Sequence, residues 1–554
     1  MKINHLFFGL FIGLALASCT KMDEIVPASG TMLAGQVQET YANYPERAKA
    51  PFAGLFTDIG LPAKLYSTPD DWEFLMILFC NDLEGGDALI KDNNYNWFSV
   101  CGEYSSRSAT YRNPAIRYRV PFNMIGAVNT FLGGFDEEAM TADPTENAEN
   151  LAMMAQAKCL RAYSYMLVAP QYQFAPNTYV TAEGDYGKNL LCVPIITNET
   201  EDFANNPRAT VQEVYDIVTS DLDWAVKYLD GYKRTSKMNI DQSVAYGLRA
   251  RVNLLMGNWQ AAYDDAVAAA KDYTPASIAD VSKPAFYDIS ESNWMWGYDM
   301  TTDNALRYRY GTTSSWLRSF SAWSYSAAVD CYTCINKLLW DLIPSTDVRK
   351  GWWVDENLES PLLTGLNWPG FPDVANADDG GDSKVPYSPY TNVKFGCFSI
   401  GTTANDEDMP LMRVEEMILI QAEAQANLGN DTQAKQIVTN FVQTYRDPSY
   451  NFGSRGFSTL DEIWFQRRVE LWGEGFGVLD NLRLDKPIIR FNGDPKATNY
   501  SDSFRFNIES QDPWLRMRFP QGETNTNFAI VDNTGGTTPK IDQNPNLKDG
   551  VIAR

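Results

Sequence analysis

The stretch DQSVAYGLRARVNLLMGNWQAAYDDAVAAAK (residues 241–271) decides the fold class. Asp241 suits an N-cap, and Val244, Leu248, Val252 and Leu255 follow at steps of four, four and three, one apolar stripe along an α-helix. Gly257 can turn left-handed at the helix end, and Asn258 is placed to cap a second helix. That helix has Trp259, Ala262, Tyr263, Ala266 and Ala269 on one face. Two helices joined by Gly-Asn run antiparallel, and the alanines allow close approach. The pattern predicts a tetratricopeptide-type helical hairpin.

The hairpin has a distant echo. Residues 410–442 predict helix, with Leu411, Val414, Ile418 and Leu428 leading to Gly429-Asn430, followed by Ala434, Ile437, Val438 and Phe441. The long separation excludes a simple tandem solenoid, so the two hairpins are expected to meet in space with the intervening chain bulging between them. Further helices are predicted over 113–131 and 148–172. Another opens at Thr210, whose capping-box partner is Glu213. The fold class is therefore predominantly α: tetratricopeptide-like hairpins form a scaffold that carries a loop-rich, aromatic insertion.

Residues 274–403 form that insertion. Helical periodicity fades there, while Trp294, Trp296, Trp316, Trp323, Trp340, Trp352, Trp353 and Trp368 sit among Pro, Gly, Ser and Asn. Such aromatics build either a satellite core under long loops or a binding surface. An earlier polar loop, 81–100, carries Tyr95 and Trp97. Asp378-Asp379-Gly380-Gly381-Asp382 lacks the spacing and terminal Glu of a calcium loop and reads as a solvated acidic turn, so a structural calcium has no motif behind it. No cofactor is expected.

Composition excludes several chemistries. The chain has 554 residues, with 46 basic against 70 acidic, which disfavours nucleic acid. Its only histidine is His5. Once a leader is removed, the mature chain has no imidazole for a Ser-His-Asp triad, a Cys-His pair or a His-ligated zinc site. Carboxylate-pair chemistry stays open.

Residues 1–19, MKINHLFFGLFIGLALASC, join Lys2 to an apolar run too short to span a membrane. The ending Leu16-Ala17-Ser18-Cys19 matches a bacterial lipoprotein signal, which makes Cys19 the acylated first residue. Stable anchoring takes two or more acyl chains. The other cysteines, Cys80, Cys101, Cys159, Cys192, Cys331, Cys334 and Cys397, are odd in number and thinly spread, unlike a disulfide framework. Cys331 and Cys334 fall in a helix-like run and are not read as a redox or metal pair. The organisation read is a signal peptide (1–18), a lipidated tether (19–40), an N-terminal helical region (41–273), the aromatic region (274–403) and a C-terminal helical region (404–554). Residues 41–554 are expected to form one composite unit.

The order of segments resembles the SusD/RagB family of Bacteroidetes outer-membrane nutrient-binding lipoproteins. The resemblance is carried by AKCLRAY (157–163), RATVQEVY (208–215), ARV (250–252) with GNW (257–259), and RVEEM (413–417) with AEA (422–424). Near the C-terminus it continues through RRVEL (467–471), EG (474–475) and DNLR (480–483), then FPQGE (519–523) and QNP (543–545). Gln466 and Gly477 depart from the family's usual residues. The resemblance implies a non-enzymatic surface protein that captures oligosaccharide for a SusC-like TonB-dependent transporter. Capture of peptides on the same scaffold is the alternative, and a carboxylate-pair glycoside hydrolase a more distant one. Aromatic faces suit the apolar faces of sugars, so the candidate platforms are Trp97, Tyr95, Trp296, Trp316 and Trp323, with Asn94, Asn96 and Arg318 as polar companions. Arg467, Arg468, Glu470, Glu474 and Asp480 are expected to form buried ion pairs that fix the C-terminal helices.

Overall fold

A computed structural model describes residues 34–90, 97–174, 187–307, 317, 332–366, 388–398, 404–533, 535–536 and 538–554. Its frame begins with α1 (Phe74–Glu84), β1 (Ala88–Leu89), α2 (Arg112–Leu132), α3 (Ala148–Tyr172) and α4 (Val211–Tyr228). The hairpin α5 (Gln242–Met256) and α6 (Trp259–Ala270) follows, then β2 (Trp294–Tyr298), β3 (Cys334–Ile335) and β4 (Met409–Arg413). A second hairpin, α7 (Val414–Asn427) and α8 (Asp431–Tyr445), precedes α9 (Thr459–Glu470) and α10 (Gly477–Arg483). The fold is predominantly helical and tetratricopeptide-like.

The hairpin ends as its residues require. Asp241 accepts the Val244 N–H at 3.1 Å, and Thr210 with Glu213 forms a complete capping box on α4. Gly257 and Gly429 take φ +76° and +82°, the left-handed region that favours glycine. The asparagines after them behave otherwise than expected. Asn258 does not cap α6 with its side chain; it donates back to Asn253 Oδ1 at 3.2 Å, and its N–H reaches Asn253 O at 2.9 Å. Asn430 repeats this on Gln425, at 2.7 Å and 2.9 Å. These bonds satisfy carbonyls left open by the preceding helix, so the asparagines close one helix rather than open the next.

Each helix from α2 to α8 packs on the next, α6 against α7 included. Ala262, Ala266 and Ala269 are fully buried, and Gln421 donates to Ala266 O at 3.2 Å across the α6–α7 seam. The stack is thus continuous in space, although the aromatic segment interrupts it in sequence. Residues 410–413, predicted as helix, instead belong to β4, which runs antiparallel to β2 with Trp294 opposite Arg413 and Tyr298 opposite Met409. Gly247 of α5 lets this strand lie close, since a Cβ there would meet the Met412 sulfur at 2.4 Å. Cys334, predicted in a helix-like run, lies in β3, pairs with Leu89 of β1 and is a free thiol. Cys331 lies outside the described residues.

At the junction of stack, insertion and C-terminal helices sits a buried cluster of charge. Glu470 accepts two bonds from Arg446 at 2.8 Å, one from Arg413 at 3.1 Å and one from Arg349 at 3.4 Å. Glu474 is gripped by Arg413 at 2.7 Å and by Lys394 at 2.7 Å, and Glu415 pairs with both Arg413 and Arg446. Arg467 bonds Asp480 at 3.1 Å, while Arg468 reaches away to Asp87 and Asp549. The expected ion pairs are present, but most partners come from outside the C-terminal helices. Burial pushes the Glu470 carboxyl up, and Arg446, Arg413 and Arg349 outweigh it, holding it well below the usual range. Glu474 and Asp480 are depressed the same way, by Arg413 with Lys394 and by Arg467 with Arg483.

Gly475 and Gly477 close the corner between α9 and α10 against α1. Asp82 accepts their N–H groups at 2.8 and 3.0 Å, and a Cβ on Gly477 would meet Asp82 Cα at 2.9 Å. The departure at position 477 is therefore a packing requirement.

Glu470→Ala takes the shared carboxylate from three buried arginines, leaving that part of the cluster short of negative charge, and is expected to cost on the order of 3–5 kcal/mol in urea unfolding. Groups depressed in the folded state stabilise above their unfolded pKa and lose that stabilisation as pH falls. Wild-type stability should accordingly drop below about pH 4. An unfolding midpoint unchanged by the substitution, or stability flat down to pH 3, would refute the structural role given to the cluster.

Candidate functional site

Several residues proposed from sequence, Asn94, Tyr95, Asn96, Trp316, Arg318 and Trp323, lie outside the described residues, as do Cys19 and the acidic turn at 378–382. Trp296 requires correction. It is fully buried in β2, its indole N–H donates to Met238 O at 2.9 Å, and its ring meets Tyr163 edge-on at 5.0 Å. A side chain so enclosed serves the core and offers no face to a ligand. Trp294, Trp352 and Trp353 are buried as well.

Trp97 differs. It is half-buried, with the Arg112 guanidinium 4.7 Å from its ring centroid. Arg112 is itself held by Asp70, through Nη2 at 2.8 Å and Nε at 3.2 Å. A cation on one face of an indole fixes the ring's tilt, and the carboxylate behind fixes the cation.

Arg112 also begins a row along α2. Arg112, Ala115, Arg119 and Asn123 recur at steps of three, four and four, one helix face. The opposite side of α2 is anchored by Arg117, whose Nη2 bonds the buried Glu84 at 2.7 Å. With Arg117 locked inward, Arg119 is turned outward and is exposed. The outward row, with Tyr111 before it, lines one side of a groove of about 600 Å³. Residues 520–523 line the other side, and Tyr118 and Phe122 also contribute.

Two tyrosines rim the groove, Tyr66 at 36% and Tyr111 at 49% exposure. The loop under Tyr66 is built on the buried Asp71, whose Oδ2 accepts the N–H groups of Leu65, Tyr66 and Ser67. Arg119 Nη1 donates to Tyr66 Oη at 3.2 Å. Across the groove, Glu523 accepts from Asn527 Nδ2 at 3.0 Å. The arrangement offers flat apolar rings beside planar donors, a surface for a ligand with apolar faces and polar edges. Tyr66 and Tyr111 escaped the sequence reading, although Tyr111 directly precedes the periodic Arg/Ala/Arg/Asn row. Tyr66 carries no local signal.

A second groove, of about 760 Å³, lies in the insertion beside Trp340. There the Lys350 ammonium sits 3.7 Å from the indole centroid and Tyr390 packs on the ring at 5.3 Å. The Trp340 ring is thus held by a cation, as Trp97 is, and by a second aromatic ring. No group of three or more metal-ligating side chains occurs among the described residues, and none of their helices is long and apolar enough to cross a membrane.

Comparison with known proteins places these features in context. Residues 74–254 match a SusD-like family described as starch-binding and associating with the outer membrane, and residues 367–546 match the SusD family. The SusD-like protein P38 of Formosa agariphila is 22% identical over 329 residues, a match that spans 53% of this chain and 62% of that relative's length, under two thirds of it. A SusD-like carbohydrate-binding protein from Bacteroides vulgatus superposes with a TM-score of 0.67 at 20% identity, over 88% of this chain and 97% of its own. A SusD superfamily protein from Bacteroides thetaiotaomicron gives 0.65 at 21% identity, over 88% and 99%. At these identities the superpositions establish the shared fold.

Asp71→Ala removes the acceptor for three backbone donors, each such bond to a charged group being worth about 1.5–3 kcal/mol. Amide exchange at Leu65, Tyr66 and Ser67 should accelerate at least tenfold while exchange in α5 and α6 is unchanged. Equal protection in both proteins would show that Asp71 does not hold the Tyr66 loop.

Proposed function

The chain belongs to the SusD/RagB family, and from that premise we propose that it is a cell-surface lipoprotein, anchored through Cys19, that captures oligosaccharide and delivers it to a SusC-like TonB-dependent transporter. The observation carrying this reading is the braced aromatic groove on α2. Tyr66 on the groove's rim is fixed from below by Asp71, and Trp97 adjoins the groove through the lining residue Arg112, which Asp70 holds, so the rings need little ordering when a ligand arrives.

A pyranose has an apolar face that an indole or phenol covers without touching its hydroxyls. If one ring covers about 100 Å² of sugar, about 25 cal/mol/Å² gives about 2.5 kcal/mol before ordering costs. Two such contacts with a few polar bonds give weak, reversible affinity, which suits handover to a transporter. Carboxylate-pair hydrolysis gains no support at the groove. Asp70 is committed to Arg112, and Glu523 to Asn527. The hairpins α5–α6 and α7–α8, which do not line the groove, serve in this reading as the frame that meets the transporter.

Calorimetric titration against a panel of oligosaccharides is the test. Saturable binding without release of shortened products is expected, with Trp97→Ala and Tyr111→Ala each weakening it about tenfold or more. Product release would make the protein an enzyme, and undiminished affinity in both variants would remove the ligand from this groove.

A further inference from the structure

Resting on that reading of the groove, we infer that its ligand is an acidic glycan, recognised through a sugar carboxylate or sulfate by Arg119. The chain as a whole carries a formal net charge of −24, and most arginines among the described residues pair with carboxylates. Arg107 and Arg117 share Glu84, Arg112 holds Asp70, and Arg161 holds Asp221. Arg119 departs from this economy. It is exposed, lies in the middle of the groove-lining row, and has no ion-pair partner among the described residues.

Its one hydrogen bond orients it. Nη1 donates to Tyr66 Oη at 3.2 Å, and the guanidinium lies 5.8 Å from that ring's centroid. Nε and Nη2 make no hydrogen bond among the described residues, which leaves the paired-donor edge of the guanidinium free. That edge matches the two oxygens of a carboxylate or sulfate in a bidentate bond. Tyr66, which holds Nη1, is fixed in turn by Asp71, so the cation is positioned before a ligand arrives.

The opposite wall carries one acidic residue among those lining the groove, Glu523, which accepts from Asn527 at 3.0 Å and makes no ion pair with Arg119. Asp70, nearby, is matched by Arg112. Repulsion from the acidic remainder of the protein is damped beyond a Debye length of about 8 Å at physiological salt, so groups inside the groove decide selectivity. An aromatic rim grips the sugar faces, and one oriented, unpaired guanidinium reads the charge.

The full chain should be screened on an array of uronic-acid, sulfated and neutral oligosaccharides. The tightest binder is then titrated calorimetrically beside its methyl-esterified or desulfated counterpart, in wild type, Arg119→Gln and Arg119→Lys. Acidic glycans are expected to dominate the binders and to exceed their uncharged counterparts at least tenfold. Arg119→Gln should collapse that ratio and Arg119→Lys should restore part of it; uronic-acid or sulfated binders identify which group is read. Thermal melting of both variants should match wild type, since the side chain is exposed. Neutral binders, or an acid-to-ester ratio unaffected by Arg119→Gln, would overturn acid selectivity while leaving glycan capture standing. Absence of binding to every class would overturn the capture reading itself.

Discussion

Four buried carboxylates, Asp347, Glu415, Glu470 and Glu474, face four buried cations, Arg349, Lys394, Arg413 and Arg446, where the three parts of the molecule meet. Removing such ions from water costs several kcal/mol each, and only near-complete pairing with satisfied hydrogen bonds offsets it. The cluster is thus a poor source of net stability and a strong constraint on arrangement. Asp347, Arg349 and Lys394 belong to the insertion, Arg413 and Glu415 to the β4–α7 junction, Arg446 follows α8, and Glu470 and Glu474 flank the end of α9. A misdocked insertion would leave several charges buried without partners. Lys394 shows the tension: burial brings its ammonium down to about 8 even with Glu474 against it.

That constraint separates two kinds of surface. The helices α2 to α8 stack through alanine-rich and aliphatic seams and leave little freedom at the joints. The groove residues lie on one outward stripe of α2 and on a loop tied to that stripe by Asp70 through Arg112 and ordered within itself by Asp71. The same helix does both tasks through residues two apart, Arg117 inward on Glu84 and Arg119 outward on Tyr66. The groove is therefore rigid at its base, with its chemistry set by side chains that the core does not need.

Much of the frame was legible because glycine and periodicity act locally. Gly257 and Gly429 ended their helices as read, the capping box at Thr210 formed, and the stripe at 244–255 turned inward. The asparagine caps misled because their side chains found a better acceptor one turn back. Residues 409–413 continue an apolar run into α7, and a short apolar run does not distinguish strand from helix without knowledge of its partner. That partner, β2, was hidden among tryptophans whose composition suits a binding loop equally well, which is how Trp296 came to be read as a platform. The cations around Glu470 and the pairing of Tyr66 with α2 depend on contacts between distant segments. Trp97 was read from its place in a polar loop, while Arg119, periodic with Arg112, and Tyr111, directly before that row, were passed over because an exposed helix face is ordinarily only solvated.

The central claim is that a rigid helical frame presents a sugar-binding groove along the outward face of α2. A crystal structure of the protein with a bound oligosaccharide tests it most directly. The account predicts sugar density between the α2 row and residues 520–523, with rings against Trp97, Tyr66 or Tyr111. Well-ordered sugar confined to the Trp340 groove, with the α2 groove empty at saturating ligand, would contradict it.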